Sequence, residues 1–122
     1  MRVMSALALV LAVSAVQSGA AKPRSTAQAE AEVLDLSKQV IAMRSVRGPG
    51  NRTIDVARAY KAALVAGGWS DADVEITPMD DTAYLIATWQ GSDPSLKPLV
   101  ISAHMDVVEA KPADWQRDPF TP

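Results

Sequence analysis

Leu99-Val100-Ile101-Ser102-Ala103-His104-Met105-Asp106-Val107-Val108 is the stretch on which the reading of this chain turns. Its unbroken hydrophobicity over 99–103 predicts a strand buried on both faces. Side chains alternate along a strand, so His104 and Asp106 then project from one face. His104 is the chain's single histidine. Imidazole is the commonest neutral metal ligand, and a nearby carboxylate is the usual device for fixing its tautomer and orientation. The pair therefore offers half of a metal site. Asp106 can orient the ring or bind the cation directly, and spacing alone leaves both roles open. A serine-histidine-aspartate triad using Ser102 or Ser45 has the residue types but no nucleophile elbow. A histidine that only packs at a strand end is the plain alternative.

Upstream, the pattern predicts two helices and a strand pair. Val33, Leu36, Val40 and Met43 recur at three- and four-residue steps, so a helix is expected over 27–46, ended by Gly48-Pro49-Gly50. Asn51 or Thr53 can cap a second helix, whose buried stripe is Val56, Tyr60, Ala63 and Leu64 and whose stop is Gly67-Gly68. From Trp69 the period changes. Val74 and Ile76 alternate with polar neighbours, which predicts a short strand ended by Pro78. Met79-Asp80-Asp81-Thr82 reads as a turn, and turn chemistry explains its two aspartates better than metal ligation does. A second strand is expected over 83–89, interior to a sheet. Residues 109–122 read as a loop pinned by Trp115 and Phe120. Helices followed by strands imply an α/β layer architecture, in which ligands gather beyond the carboxyl ends of strands. His104 and Asp106 occupy such a place.

The start of the chain has a different character. Met1-Arg2 is followed by an almost wholly apolar stretch from Val3 to Val16, then by small residues at Ser18-Gly19-Ala20-Ala21. This is the layout of a secretory signal peptide over 1–21, with a linker over 22–29. The apolar stretch falls short of the roughly 20 residues that span a bilayer, so no stable membrane anchor is expected. The destination is periplasmic or secreted. Without Arg2, eleven basic residues face fourteen acidic ones, a formal balance of −3, and no basic stripe marks a nucleic-acid partner. The chain has no cysteine, which excludes a disulfide framework, a thiolate zinc site and a cysteine nucleophile. A metal here must be held by imidazole and carboxylate.

The stretch 99–108, followed by Trp115 and then Asp118-Pro119-Phe120, resembles the zinc-dependent exopeptidase and deacylase family. Glutamate carboxypeptidase, aminoacylase, acetylornithine deacetylase and succinyl-diaminopimelate desuccinylase belong to it. The resemblance covers the chain from about Glu30 to its end. It implies a metal-dependent hydrolase acting on small peptides or N-acyl amino acids, with two zinc ions in the complete enzyme and a bridging water that attacks the amide carbonyl. It implies that 30–122 are the N-terminal part of a mixed-sheet zinc-exopeptidase catalytic domain with flanking helices. His104 then matches a zinc ligand, and Asp106 matches the catalytic-site aspartate that orients it. The family's bridging aspartate, general-base glutamate, remaining carboxylate ligands and second histidine have no counterpart up to Pro122. The chain is accordingly expected to be inactive alone. Family members often dimerise through a later inserted domain, so a homodimer is possible for the full-length enzyme. A reading from another class is a secreted, non-catalytic α/β binding module with a structural histidine.

Overall fold

The computed structural model describes residues 25–122, so the signal-peptide expectation over 1–21 lies outside the described residues. Among the described residues the architecture is mixed α/β on a small scale, with two helices and one two-stranded antiparallel sheet. No helix among them is long and apolar enough to cross a membrane.

Helix α1 spans Thr26–Ile41 and therefore begins within the span expected as linker. Ser25 caps it, its hydroxyl accepting from the Gln28 N–H at 3.2 Å. The expected extension to Val46 does not form. The helix stops at Ile41, and Ser45 and Val46 leave the axis to become buried. Their burial against the rest of the fold outweighs the continuing helical period. Gly48 and Gly50, both at positive φ, shape the turn that follows, and the Arg52 N–H closes it on the Arg44 carbonyl at 2.8 Å. The apolar stripe of α1 is only half covered. Leu36 and Val40 are half-buried, while Val33, Leu34 and Ile41 are exposed.

Helix α2 spans Thr53–Ala66. The N-cap position falls to Arg52, whose side chain makes no cap bond, rather than to Asn51 or Thr53; Asn51, one residue earlier, accepts the Thr53 N–H at 2.9 Å and the Thr53 hydroxyl at 2.7 Å through its side-chain carbonyl. Asp55 in the first turn pairs with Arg52 and Arg58, which hold its carboxyl below the usual range. The buried stripe is Thr53, Val56, Ala57 and Ala59, with Tyr60 and Leu64 half-buried and Ala63 exposed. It is rotated from the expected one toward small residues, which let the sheet approach. At the other end the Trp69 N–H bonds the Leu64 carbonyl and the Gly68 N–H bonds the Val65 carbonyl, with Gly68 at φ 106°. This is a Schellman closure, and only glycine enters it without strain.

Strands β1 (Val74–Met79) and β2 (Thr82–Ala87) form a hairpin in the register Val74↔Ala87 to Met79↔Thr82, turned by Asp80-Asp81. Asp80 takes a positive φ, and the Asp81 carboxylate accepts the Gly48 N–H at 2.6 Å. Turn chemistry accounts for Asp80, while Asp81 ties the hairpin tip to the turn at Gly48. Pro78 lies inside β1 rather than ending it. The Thr88 N–H bonds the Asp73 carbonyl, so alternation places Pro78 where backbone groups point away from β2. No ladder bond is lost there. Val74 and Ala83 are buried against α2, whereas Tyr84 and Ile86 on the opposite face are exposed. The expectation of a β2 reaching Trp89 and interior to a sheet is corrected on both counts. It stops at Ala87 and, among the described residues, has β1 as its one neighbour.

The third strand expected over 99–103 does not form. Those residues join no ladder, and Leu99, Val100 and Ile101 are 88%, 79% and 88% exposed. A strand needs a neighbour for its N–H and C=O groups, and among the described residues none lies alongside. Hydrophobicity signals a need for burial without supplying the surface that would provide it.

Candidate metal centre

His104 and Asp106 lie in a segment outside any helix or strand, held at two points. The Val107 N–H donates to the Ser45 carbonyl at 3.1 Å. Glu109 forms an ion pair with Arg44. The segment therefore runs beside the chain that leaves α1. Ser45 is buried for this reason and contributes its backbone, not a nucleophile.

Within the segment His104 Nδ1 stands 3.1 Å from Asp106 Oδ1. A carboxylate only accepts, so in this contact Nδ1 is the donor, and in the neutral ring the Nε2 lone pair is then the one left for a cation. The His104 side chain is 93% exposed, so that nitrogen is open to an incoming cation. The two-residue spacing brings the groups together in any extended backbone, with or without a ladder. Neither Ser102 nor Ser45 hydrogen-bonds His104 among the described residues, so no triad is assembled there.

The donor set is short of a complete metal site. Among the described residues no group of three or more histidine or carboxylate side chains converges to hold a cation. A catalytic zinc takes three protein ligands and a structural one four. His104 fits one coordination position and Asp106 fits its orienting partner, so the pair supplies one of the three or four protein ligands the chemistry requires. Asp80 and Asp81 sit at the hairpin tip in their own turn and do not complete it.

Beside the pair lies a cleft of about 470 Å³, walled by Val40 from the end of α1, Met43 from the segment that follows it, Val56 and Tyr60 from α2, and Trp115 and Phe120 from the terminal loop. His104 and Asp106 stand at its side. Sequence patterning places Tyr60 and Val40 in the core and misses this cleft, because its walls come from separate segments. Phe120 is half-buried as expected of a pinning ring, while Trp115 is largely exposed. The loop is held by Asp118, whose carboxylate accepts the Phe120 N–H at 3.0 Å and the Thr121 hydroxyl at 2.9 Å.

Those two bonds, the backbone one foremost, hold the Asp118 carboxyl below its ordinary range. A carboxyl lowered on folding contributes order that is full above the unfolded value of about 3.9 and is lost as pH falls through the lower folded value. The Phe120 amide proton should therefore titrate with a midpoint below about 3.9, and Asp118→Asn should flatten the curve. A midpoint at or above that value in an NMR titration would show that the turn does not hold.

Comparison with known proteins finds short, local similarity to hydrolases. Carboxypeptidase S of Saccharomyces cerevisiae is 48% identical over 40 residues, covering 30% of this chain and 7% of the yeast protein. The mouse (Mus musculus) N-fatty-acyl-amino acid synthase/hydrolase PM20D1 is 53% identical over 34 residues, covering 28% of this chain and 7% of its own length. A second yeast protein, named as a putative carboxypeptidase, is 45% identical over 38 residues, 31% of this chain and 6% of its own length. Each match thus spans less than a tenth of the relative it falls on. No family model matches the chain, and no solved structure matches it significantly.

Proposed function

We propose that this chain is part of a metal-dependent hydrolase that cleaves the amide bond of small peptides or N-acyl amino acids, with residues 30–122 forming the N-terminal portion of its catalytic domain. The observation that carries the reading is the 3.1 Å contact between His104 Nδ1 and Asp106 Oδ1, which in the neutral ring leaves Nε2 for a cation, in a stretch resembling the zinc exopeptidases and deacylases. The local likeness to carboxypeptidases and to an N-acyl amino acid hydrolase supports the same class. In this reading His104 is a zinc ligand and Asp106 fixes its tautomer. The remaining ligands for two zinc ions and the general base come from outside the described residues. No catalytic step is assigned to the two residues alone. Export to the periplasm or medium, guided by residues 1–21, and homodimer formation by the complete enzyme belong to the same proposal.

The test is hydrolysis by the chain expressed with its flanking coding sequence. Dipeptides and N-acyl amino acids are offered with zinc, with chelator, and to His104→Ala. The expected result is turnover that chelator abolishes and that His104→Ala reduces by roughly a thousandfold or more, as loss of metal-ion catalysis requires. No turnover, or turnover indifferent to both treatments, would overturn the reading. It would favour the non-catalytic binding module, for which the apolar cleft beside His104 is the supporting observation.

A further inference from the structure

The direction in which His104 points is set by its backbone. Its side chain is 93% exposed, and the group its ring bonds, Asp106, sits two residues along the same segment. That contact orients the ring relative to the segment, not the segment relative to the fold. No ladder fixes the segment, which lies outside any helix or strand. Met105 within it is half-buried, but a flexible thioether side chain imposes little direction. Two polar ties among the described residues do impose one. The Val107 N–H donates to the Ser45 carbonyl at 3.1 Å, and the Glu109 carboxylate pairs with the Arg44 guanidinium. One hydrogen bond leaves a chain free to pivot about it. A second tie, two residues further on, removes that freedom.

Arg44 is itself held. Its Nη1 donates to the Pro49 carbonyl at 3.1 Å while Nη2 faces Glu109. The turn behind it is pinned to the start of α2 by the Arg52 N–H on the Arg44 carbonyl, and to the hairpin tip by Asp81 on the Gly48 N–H. A guanidinium is planar and its donors keep fixed directions, so one side chain braces two partners at once. A lysine ammonium, a single nitrogen on a flexible stem, lacks that fork. We propose that Arg44 is a positioning residue for the metal: it fixes Glu109, Glu109 fixes the segment, and the segment aims His104. This rests on the reading of His104 as a zinc ligand. Charge alone would act the opposite way at Arg44. A cationic side chain repels a nearby metal ion, so its removal would strengthen binding on electrostatic grounds. Loss of positioning weakens it.

The test uses the chain expressed with its flanking coding sequence, with hydrolysis of dipeptides and N-acyl amino acids followed as zinc is raised from chelated buffer. Arg44→Met and Glu109→Met should each raise the zinc concentration for half-maximal activity about tenfold, the scale on which partners behind a metal ligand act. Turnover at saturating zinc should return to the parent value, because bound metal then fixes the ring. The melting temperature should stay within about 2 °C of the parent's, as expected of a partly exposed ion pair. The double variant should also show about tenfold, not a hundredfold, since both substitutions break one tie. Arg44→Lys, which keeps the charge, should recover little of the loss. Glu109 is exposed, so Glu109→Met carries the test if Arg44→Met does not fold. Unchanged or lower zinc demand in either single variant, independent effects in the double one, or activity lost at every zinc concentration would overturn the inference. His104→Ala tells its failure from that of the functional reading. If zinc demand is unaltered by His104→Ala, the ligand assignment fails and the positioning role with it. If His104→Ala abolishes the zinc-dependent activity while the Arg44 and Glu109 variants match the parent, the positioning role alone fails.

Discussion

Val56→Ala should lower stability by about 2 kcal/mol and the melting temperature by roughly 10 °C, the effect of deleting buried methyl groups in a domain of this size. Val56 is 2% exposed and sits at the centre of a small core whose other buried apolar members are Val46, Ala57, Ala59, Val74 and Ala83. Three of those are alanines, which contribute little burial and chiefly allow α2 and the hairpin to approach closely. The stabilising area is therefore concentrated in Val46, Val56 and Val74. A core this small leaves a thin margin against conformational entropy. Val56→Asp should go further and abolish the cooperative transition, since an uncompensated carboxylate would have to enter an apolar interior. Thermal unfolding followed by circular dichroism checks both. A loss below about 0.5 kcal/mol for Val56→Ala, the size of an ordinary surface substitution, would show that the stabilising core lies elsewhere, for instance around the cleft.

Why α2 and the hairpin are legible in the sequence, and the third strand is not, follows from where each signal resides. The Gly67-Gly68 stop, the Asn51 contact with Thr53 and the Asp80-Asp81 turn are local. Each is specified within a few residues, although the Asp81 carboxylate also reaches the distant Gly48 N–H, a contact the sequence does not reveal. The end of α1 is not local. Met43 to Val46 continue the helical period, but the fold draws Ser45 and Val46 into burial and pulls the chain off the axis. Pro78 misleads for a related reason, because whether a proline breaks a strand depends on ladder parity, which is unknown until the register is known. Leu99 to Ala103 are the extreme case. Their composition specifies a strand, yet a strand exists only with a neighbour, and among the described residues none stands beside them.

The site divides in the same way. The closeness of His104 and Asp106 is readable because two-residue spacing places both on one side of any extended chain. The cleft is not readable, because Val40, Val56, Tyr60, Trp115 and Phe120 converge only after the chain folds. Asp118 does carry a sequence signal. An aspartate two residues before a phenylalanine N–H and three before a threonine hydroxyl is a recognisable turn pattern, and it orders the loop that closes one side of the cleft.

In zinc titrations of this chain followed by NMR, the His104 ring resonances should move first, with a roughly millimolar midpoint, because one imidazole falls well short of the three or four ligands of a tight site. The described residues offer no converging cluster that would raise the affinity. His104→Ala should remove the response entirely. Asp106→Asn should weaken it by about tenfold, the cost of losing the carboxylate that orients a metal-bound ring. A carboxamide can also present its N–H to Nδ1, so the ring nitrogen shifts should report a change of tautomer that a general loss of negative charge would not produce. The contrast between the two substitutions carries the argument. If Asp106 served only as a nearby charge, Asp106→Asn would lower affinity while leaving the tautomer as it was. Zinc responses that persist undiminished in His104→Ala would place the cation on surface carboxylates such as Asp80 and Asp114, and His104 would then have no claim to be a ligand.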